Sequence, residues 1–92
     1  MNQDLFHSYL NQKVVVDAAF SYVYLGTLTS VHAGWIELKD VDVHDIQDSQ
    51  SNKETYLQNI KVTGIRPNRE NCRIDTAKIT SISLFSDILT FG

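Results

Sequence analysis

The chain has 92 residues, of which 42% are hydrophobic and 21% charged, and its formal net charge is −3 with a pI near 5.4. This length fits one domain, residues 1–92, and the composition is that of a folded protein rather than a disordered one. The acidic balance excludes a global basic field for nucleic acid or an anionic membrane, so any nucleic-acid site has to be a local patch.

Cysteine usage and the start of the chain bear on the compartment. Cys72 is the single cysteine, which excludes an intramolecular disulfide and a zinc site built on several cysteines. The first residues lack the basic charge and apolar run of a signal peptide, and no stretch reaches the roughly 20 apolar residues that cross a bilayer. We therefore expect a cytoplasmic protein with no membrane partner.

The first half of the chain predicts a short helix followed by β structure. Apolar side chains recur four residues apart within residues 4–10, which indicates an amphipathic helix. A β-branched run at residues 14–16, a turn at 17–21 and an alternating strand at 22–31 follow. Gly26 lies inside that strand, where glycine usually marks sharp bending or close backbone approach. Strong bending in a short sheet favours a small barrel.

The second half predicts further strands around a long polar segment. The polar segment covers residues 45–52. A turn at residues 33–34 leads into a strand at 35–43. After the polar segment, two short strands at 72–75 and 79–84 are joined by a tight connection at 76–78.

One short helix is predicted in the long segment between the third and fourth strands. Ser51 and Glu54 fit a capping box, in which the hydroxyl accepts from a first-turn N–H and the carboxylate reaches back. Tyr56 and Ile60 lie four residues apart and share a face. Gly64 is suited to stop the helix, and Pro67 follows shortly after.

Two motifs carry a resemblance to a known family. Residues 24–28, Tyr-Leu-Gly-Thr-Leu, followed by Val31, couple an alternating strand to a Gly-x-Leu step, and residues 73–79 form a strand, a tight turn and the start of another strand. With the element order above, these motifs resemble the Sm-like family, whose fold is a short helix followed by a strongly bent five-stranded barrel. Residues 41–45 and 64–69 are similar to segments of a small group of bacterial Sm-like proteins.

The resemblance implies a subunit of a homo-oligomeric ring that binds RNA or scaffolds an assembly, with its last strands pairing head-to-tail between neighbours. Sm proteins that bind uridine-rich RNA use Asp, Met and Asn after the second strand and Arg-Gly between the fourth and fifth. Here His32 stands at the Asp position, Trp35 at the Met position, and Asp75-Thr76-Ala77 at the Arg-Gly turn. Both elements of the family's base-binding pocket are therefore replaced.

A local basic stretch follows the polar segment. Arginine binds phosphate through two parallel hydrogen bonds, and aromatic side chains on a small barrel stack bases or fill the core. Ion pairing with the acidic run, within or between subunits, and simple solvation are the alternatives for the basic side chains. The residues predicted to bind nucleic acid or a partner are Lys61, Arg66, Asn68, Arg69, Arg73, His32 and Trp35.

The densest cluster of ligand-type side chains contains Asp42, His44 and Asp45. In an extended strand Asp42 and His44 point to the same face, where carboxylate and imidazole are suited to hold a divalent metal. The alternative is a solvated strand face whose charges protect a sheet edge.

Enzyme motifs are missing from the sequence. It has no Gly-rich phosphate loop, no nucleophile elbow and no paired-histidine spacing for zinc. We therefore expect a binding or assembly module without a cofactor rather than an enzyme. The alternative to an RNA-binding ring is a protein-interaction module with no nucleic-acid role, whose partner surface is residues 45–69.

Overall fold

A computed structural model describes residues 3–48 and 52–90. Its helices and strands confirm the predicted mainly β class, the N-terminal helix and the helix between the third and fourth strands. In chain order they are α1 (Gln3–His7), β1 (Lys13–Ala18), β2 (Tyr22–His32), β3 (Trp35–Asp45), α2 (Lys53–Thr63), β4 (Arg69–Asp75) and β5 (Ile79–Leu84). No helix of the described residues is long and apolar enough to cross a membrane.

The five strands form one antiparallel sheet in the order β4–β3–β2–β1–β5, so β4 and β5 are its edges. The pairing of β2 with β3 shifts register between Leu25 and Thr27 and again between Leu28 and Ser30. Irregularities of this kind bend a strand and increase its twist. They account for the curvature that the sequence predicts for this sheet.

Gly26 lies where the backbone of β3 passes close to β2. A Cβ atom at this position would lie 2.9 Å from the carbonyl oxygen of Lys39 and 3.2 Å from Cγ2 of Val41. Backbone atoms cannot move aside as a flexible side chain can, so only glycine fits without displacing β3. The predicted close backbone approach at Gly26 is confirmed.

The larger core lies between α1 and one face of the sheet. Phe6 anchors α1 and is fully buried. Complete burial of one such side chain stabilises the fold by roughly 1.5–3 kcal/mol. The strand side chains fully buried in this core are Val14, Val16, Leu28, Ile36, Leu38 and Val41.

A smaller core lies on the opposite face of the sheet, under α2. Leu57 and Ile60, three residues apart on α2, pack in a cluster with Val15, Val23 and Leu25. Strand β1 is therefore covered on both faces, which explains its unbroken run of valines in place of the usual alternation.

The ends of α2 are set by two residues. The predicted cap Ser51 lies outside the described residues; the N-cap is Asn52, whose side-chain oxygen accepts from the N–H of Thr55 at 2.9 Å. At the other end Gly64, with φ 85°, donates its N–H to the carbonyl of Ile60 at 2.8 Å, as predicted for the helix stop.

Three strand ends differ from the prediction because pairing with distant strands extends them. β1 continues through Asp17, which pairs with Val23, where a turn was predicted. β3 continues to Asp45, which pairs with Tyr22. β4 begins three residues earlier than predicted, at Arg69, opposite Val41. Asp45 and Arg69 are more than 20 positions from their partners, whereas Asp17 is six residues from Val23 but also pairs with the distant Ser81 of β5.

Candidate nucleic-acid interface

The β2–β3 hairpin and the β4–β5 connection meet at one end of the sheet. His32 pairs with Trp35 across the turn at residues 33–34, in which Gly34 has φ 89°. Trp35 also pairs with Asp75 at the end of β4, and the N–H of Thr76 donates to the carbonyl of Gly34 at 3.1 Å. The register thus brings residues from three strands to one edge.

Three side chains at this end form a stack, called here the stacked triad: His32, Trp35 and Arg73. The imidazole and indole rings are parallel to within 13°, with centroids 3.8 Å apart. The guanidinium carbon of Arg73 lies 5.2 Å from the Trp35 ring centroid. His32 comes from β2 and Arg73 from β4, the two neighbours of β3, and both are exposed. Imidazole rings and guanidinium planes are both surfaces on which nucleobases stack.

Glu37 fixes the orientation of the guanidinium group. Nε of Arg73 donates to Oε2 of Glu37 at 2.9 Å, and the two side chains are 74% and 25% exposed. An exposed pair of this kind contributes only about 0–1 kcal/mol to stability. It leaves the two terminal nitrogens of Arg73 without a hydrogen-bond partner among the described residues, so they remain donors for a ligand.

The other predicted basic residues do not join the triad. Lys61 on α2 donates to the carbonyl of Phe85 at 3.1 Å, with its Nζ 4.8 Å from the Phe85 ring centroid. Arg69 donates to the Asn68 carbonyl at 2.9 Å, at the end of β4 away from Trp35. Arg66 is exposed. The basic stretch is therefore not one patch, and Lys61 holds the segment after β5 against α2.

Two ion pairs join described residues within the subunit, Arg73–Glu37 and Lys53–Asp17. The second joins the start of α2 to β1 at 2.5 Å. Neither pair connects the basic stretch to the acidic residues at the end of β3.

Asn68 binds the backbone of β3 through its side-chain amide. Its side-chain amide donates to the carbonyl of Val43 at 2.9 Å and accepts from the N–H of Val43 at 3.0 Å. The side chain thus takes the place of a strand backbone beside β3, where β4 has not yet begun. Asn68 is nevertheless exposed, and its predicted role in binding stays a prediction.

Asp42 lies beneath α2, with only 9% of its surface exposed. Its carboxylate accepts from the hydroxyl of Tyr56 and from Nδ2 of Asn68, the latter at 3.4 Å. The Tyr56 ring stacks on the His44 imidazole with centroids 4.1 Å apart. Burial and, after it, the hydrogen bond to Asp42 raise the pKa of Tyr56 above its ordinary 10.0, so its hydroxyl remains a donor above pH 10 as well as at neutral pH.

The three predicted metal ligands each have another partner. Asp42 and His44 contact Tyr56, while Asp45 accepts from the Ser21 hydroxyl at 2.7 Å and from the N–H of Gln47 at 3.0 Å. In the described ranges no three His, Cys, Asp or Glu side chains are grouped to hold a metal ion. The metal hypothesis gains no support from these residues.

Sequence reasoning named all three members of the stacked triad but missed Glu37 and Tyr56. The alternation of β3 indicates that Glu37 lies beside Trp35, because residues two apart on a strand share a face. Since Trp35 is a candidate from the sequence, its neighbour Glu37 could have been included as well. For Tyr56 the sequence has no comparable signal, since its partners Asp42 and His44 lie on a different element.

No protein-family model and no curated protein matches the sequence. Among solved structures, the chain is similar to that of the Pyrococcus abyssii Sm protein in complex with a uridine heptamer. The identity is 14%, the match covers 91% of this chain and 97% of that one, and the TM-score is 0.60. The helix, the five-stranded antiparallel sheet and this match over nearly the whole length show that the chain has the Sm-like fold.

Proposed function

We propose that this chain is one Sm-like domain that assembles into a homo-oligomeric ring and binds single-stranded RNA at the stacked triad. The observation that carries the proposal is the triad itself: an exposed imidazole and an exposed guanidinium against a single indole. Stacking of one base on such a group is worth about 1–3 kcal/mol. The site has the groups of a binding surface, and binding rather than catalysis is the role proposed.

The sheet edges support assembly. Among the described strands, β4 and β5 each pair on one side only, and exposed edges of this kind pair readily with another chain. Cys72 on β4 and Ile82 and Leu84 on β5 are only partly buried at the two borders of the larger core. Pairing β4 of one copy with β5 of the next would complete their burial. Such a contact joins two different surfaces and is therefore heterologous. Repeated contacts close into a ring when the rotation between neighbouring copies is a whole fraction of a full turn.

A ring would present several triads around one axis. A single strand that contacts one triad is then held near the next, so modest individual affinities combine. Lys39, which is exposed on β3, adds a cation near the site for the phosphate backbone. The net charge of −3 does not oppose this arrangement, because the attraction is local.

The structural neighbour holds a uridine heptamer, which makes short single-stranded RNA the first ligand to test. Protein freed of nucleic acid is titrated into a labelled RNA heptamer of mixed sequence, and fluorescence anisotropy is followed at 50 and 200 mM salt. We expect binding that weakens at the higher salt, since phosphate contacts release counterions.

The substitution Trp35→Ala locates the site. It should weaken binding by about tenfold or more, because it removes the centre of the stack. Tyr22→Ala is the matched control, as it removes a partly exposed aromatic ring from the opposite end of β2. Absence of binding at 50 mM salt, or equal affinity of Trp35→Ala and the wild type, contradicts the proposal.

A protein-interaction module is the second candidate, favoured by Val62, which is 83% exposed on the outer side of α2. Arg66 follows shortly after it and is also exposed. If this surface binds a protein, replacing Arg66 and Arg69 with Glu should abolish pull-down of that protein. Under the RNA proposal, Arg66→Glu alone should leave RNA affinity unchanged.

A further inference from the structure

We infer that the base bound beside the stacked triad is one that carries an amino group, guanine above all, and that uracil is selected against. The inference rests on the proposed function and adds the chemistry of the base. Its basis is Glu37, whose carboxylate is joined to Arg73 at 2.9 Å and lies on the same strand face as Trp35.

The cross-strand register gathers four side chains on this face. Glu37 pairs with Arg73, and the next pair on the same face of the two strands is Lys39 with Asn71. A surface depression of about 370 Å³ is lined by Glu37, Asn71, Cys72 and Arg73. This volume lies within the range of small-molecule sites, roughly 300–1,000 Å³. A base that lies beside Arg73, in the plane of its guanidinium group, therefore has polar side chains along its edge.

The pair presents an acceptor beside a donor. Glu37 uses Oε2 for Arg73, and its Oε1 has no hydrogen-bond partner in the described part of the chain. Arg73 uses Nε for Glu37 and keeps both terminal nitrogens for donation. A ligand edge that matches this arrangement needs donors facing the carboxylate and an acceptor facing the guanidinium.

Guanine has such an edge, because its O6 accepts while the adjacent N1–H and N2–H₂ donate. In the DNA major groove the commonest specific contact is from Arg to O6 and N7 of guanine, and unstacked RNA bases can also be read on the edge that carries O6, N1 and N2. Uracil offers one N–H between two carbonyl oxygens. A carboxylate that accepts from that N–H therefore also lies against a carbonyl oxygen, which is an acceptor like itself and cannot donate to it. Adenine and cytosine each offer one amino group and should fall between the two.

The expected preference differs from the ligand of the structural neighbour, which is a uridine heptamer. The difference agrees with the sequence, since His32, Trp35 and residues 75–77 stand where the uridine-binding motifs of the family have other residues. A similar fold at 14% identity is thus expected to present a different base-reading surface.

The test compares two labelled RNA hexamers, hexauridylate and the same hexamer with guanine at its third position. A single guanine avoids four-stranded structures. We expect the guanine hexamer to bind about tenfold more tightly, since a good bidentate contact discriminates by about 1–3 kcal/mol. Trp35 is the only tryptophan of the chain, so quenching of its fluorescence reports whether the base reaches this site.

Glu37→Gln should reduce that preference to about threefold or less, because the amide can turn its NH₂ toward a uracil carbonyl. Glu70→Gln is the matched control: Glu70 is an exposed carboxylate on β4, one residue out of phase with Asn71 and therefore on the other face. It should retain the preference of the wild type.

The outcomes separate the inference from the proposed function. If hexauridylate binds as tightly as the guanine hexamer, or if Glu37→Gln keeps the full preference, the base assignment is overturned while RNA binding stands. If neither hexamer binds at 50 mM salt, the proposed function fails, and the inference fails with it.

Discussion

Replacing Tyr56 with Phe isolates the hydrogen bond that fixes α2 on the sheet. The Tyr56 hydroxyl is the donor to Asp42, a carboxylate that is only 9% exposed. The other donor to Asp42 among the described residues is Asn68, at a long 3.4 Å. Phenylalanine keeps the ring that stacks on His44, so the substitution removes a donor and leaves the packing in place.

The magnitude follows from the charge of the acceptor. A hydrogen bond to a charged group contributes about 1.5–3 kcal/mol, and its loss leaves a buried carboxylate short of a partner. We expect Tyr56→Phe to lower the free energy of unfolding by about 2 kcal/mol. For a domain of this size the melting temperature should then fall by roughly 10 °C.

The dependence on pH gives an independent check of the same bond. Burial and the hydrogen bond to Asp42 raise the pKa of Tyr56 above its ordinary 10.0. The folded state therefore keeps a proton that the unfolded state loses above pH 10, and the free energy of unfolding of the wild type falls as pH rises beyond that value. The penalty of Tyr56→Phe should shrink over the same range.

The assay is urea denaturation at one fixed protein concentration, because assembly makes apparent stability concentration-dependent. Tyr22→Phe is the control, since Tyr22 is 38% exposed and its hydroxyl has no hydrogen bond among the described residues. It should change stability by less than about 0.5 kcal/mol. A Tyr56→Phe variant within that same margin of the wild type would refute the role given to Tyr56.

Two further predictions concern β2 and β4. Gly26→Ala places a Cβ 2.9 Å from the Lys39 carbonyl oxygen and should cost about 1–3 kcal/mol in urea denaturation; an unchanged midpoint would show that β3 can move aside. Burial raises the pKa of the Cys72 thiol, with Arg69 lowering it in part, so Cys72 should react with an aromatic disulfide reagent more slowly than free cysteine at pH 8. A rate equal to that of free cysteine would contradict the burial of Cys72.

Much of the fold follows from local patterns in the sequence. The alternation in β2, the glycine at position 26 and the stop at Gly64 each depend on the geometry of one element, and each was predicted. Strand β5 was predicted with its observed bounds, Ile79–Leu84, because a tight turn and an apolar pattern mark both ends. These signals act within a few residues.

The parts that the sequence did not predict depend on contacts between distant elements. The ends of β3 and β4 are set by pairing, and the placement of Asn68 beside Val43 joins residues 25 positions apart. The same holds for Asp42, predicted as a metal ligand with no sign that Tyr56 would cover it. The members of the stacked triad could be named from their residue types alone. That His32 stacks on Trp35 follows only from the register of the β2–β3 hairpin, which pairs the two residues.

Size-exclusion chromatography with light scattering, in the presence and absence of an RNA hexamer, tests the central claim most directly. The protein alone should elute as one species whose mass is several times the 10.5 kDa of one chain, since at least three copies are needed to close a ring. With RNA, absorbance at 260 nm should move into that same peak. A monomer or a dimer would contradict the ring, and a ring-sized peak free of RNA at low salt would contradict RNA binding.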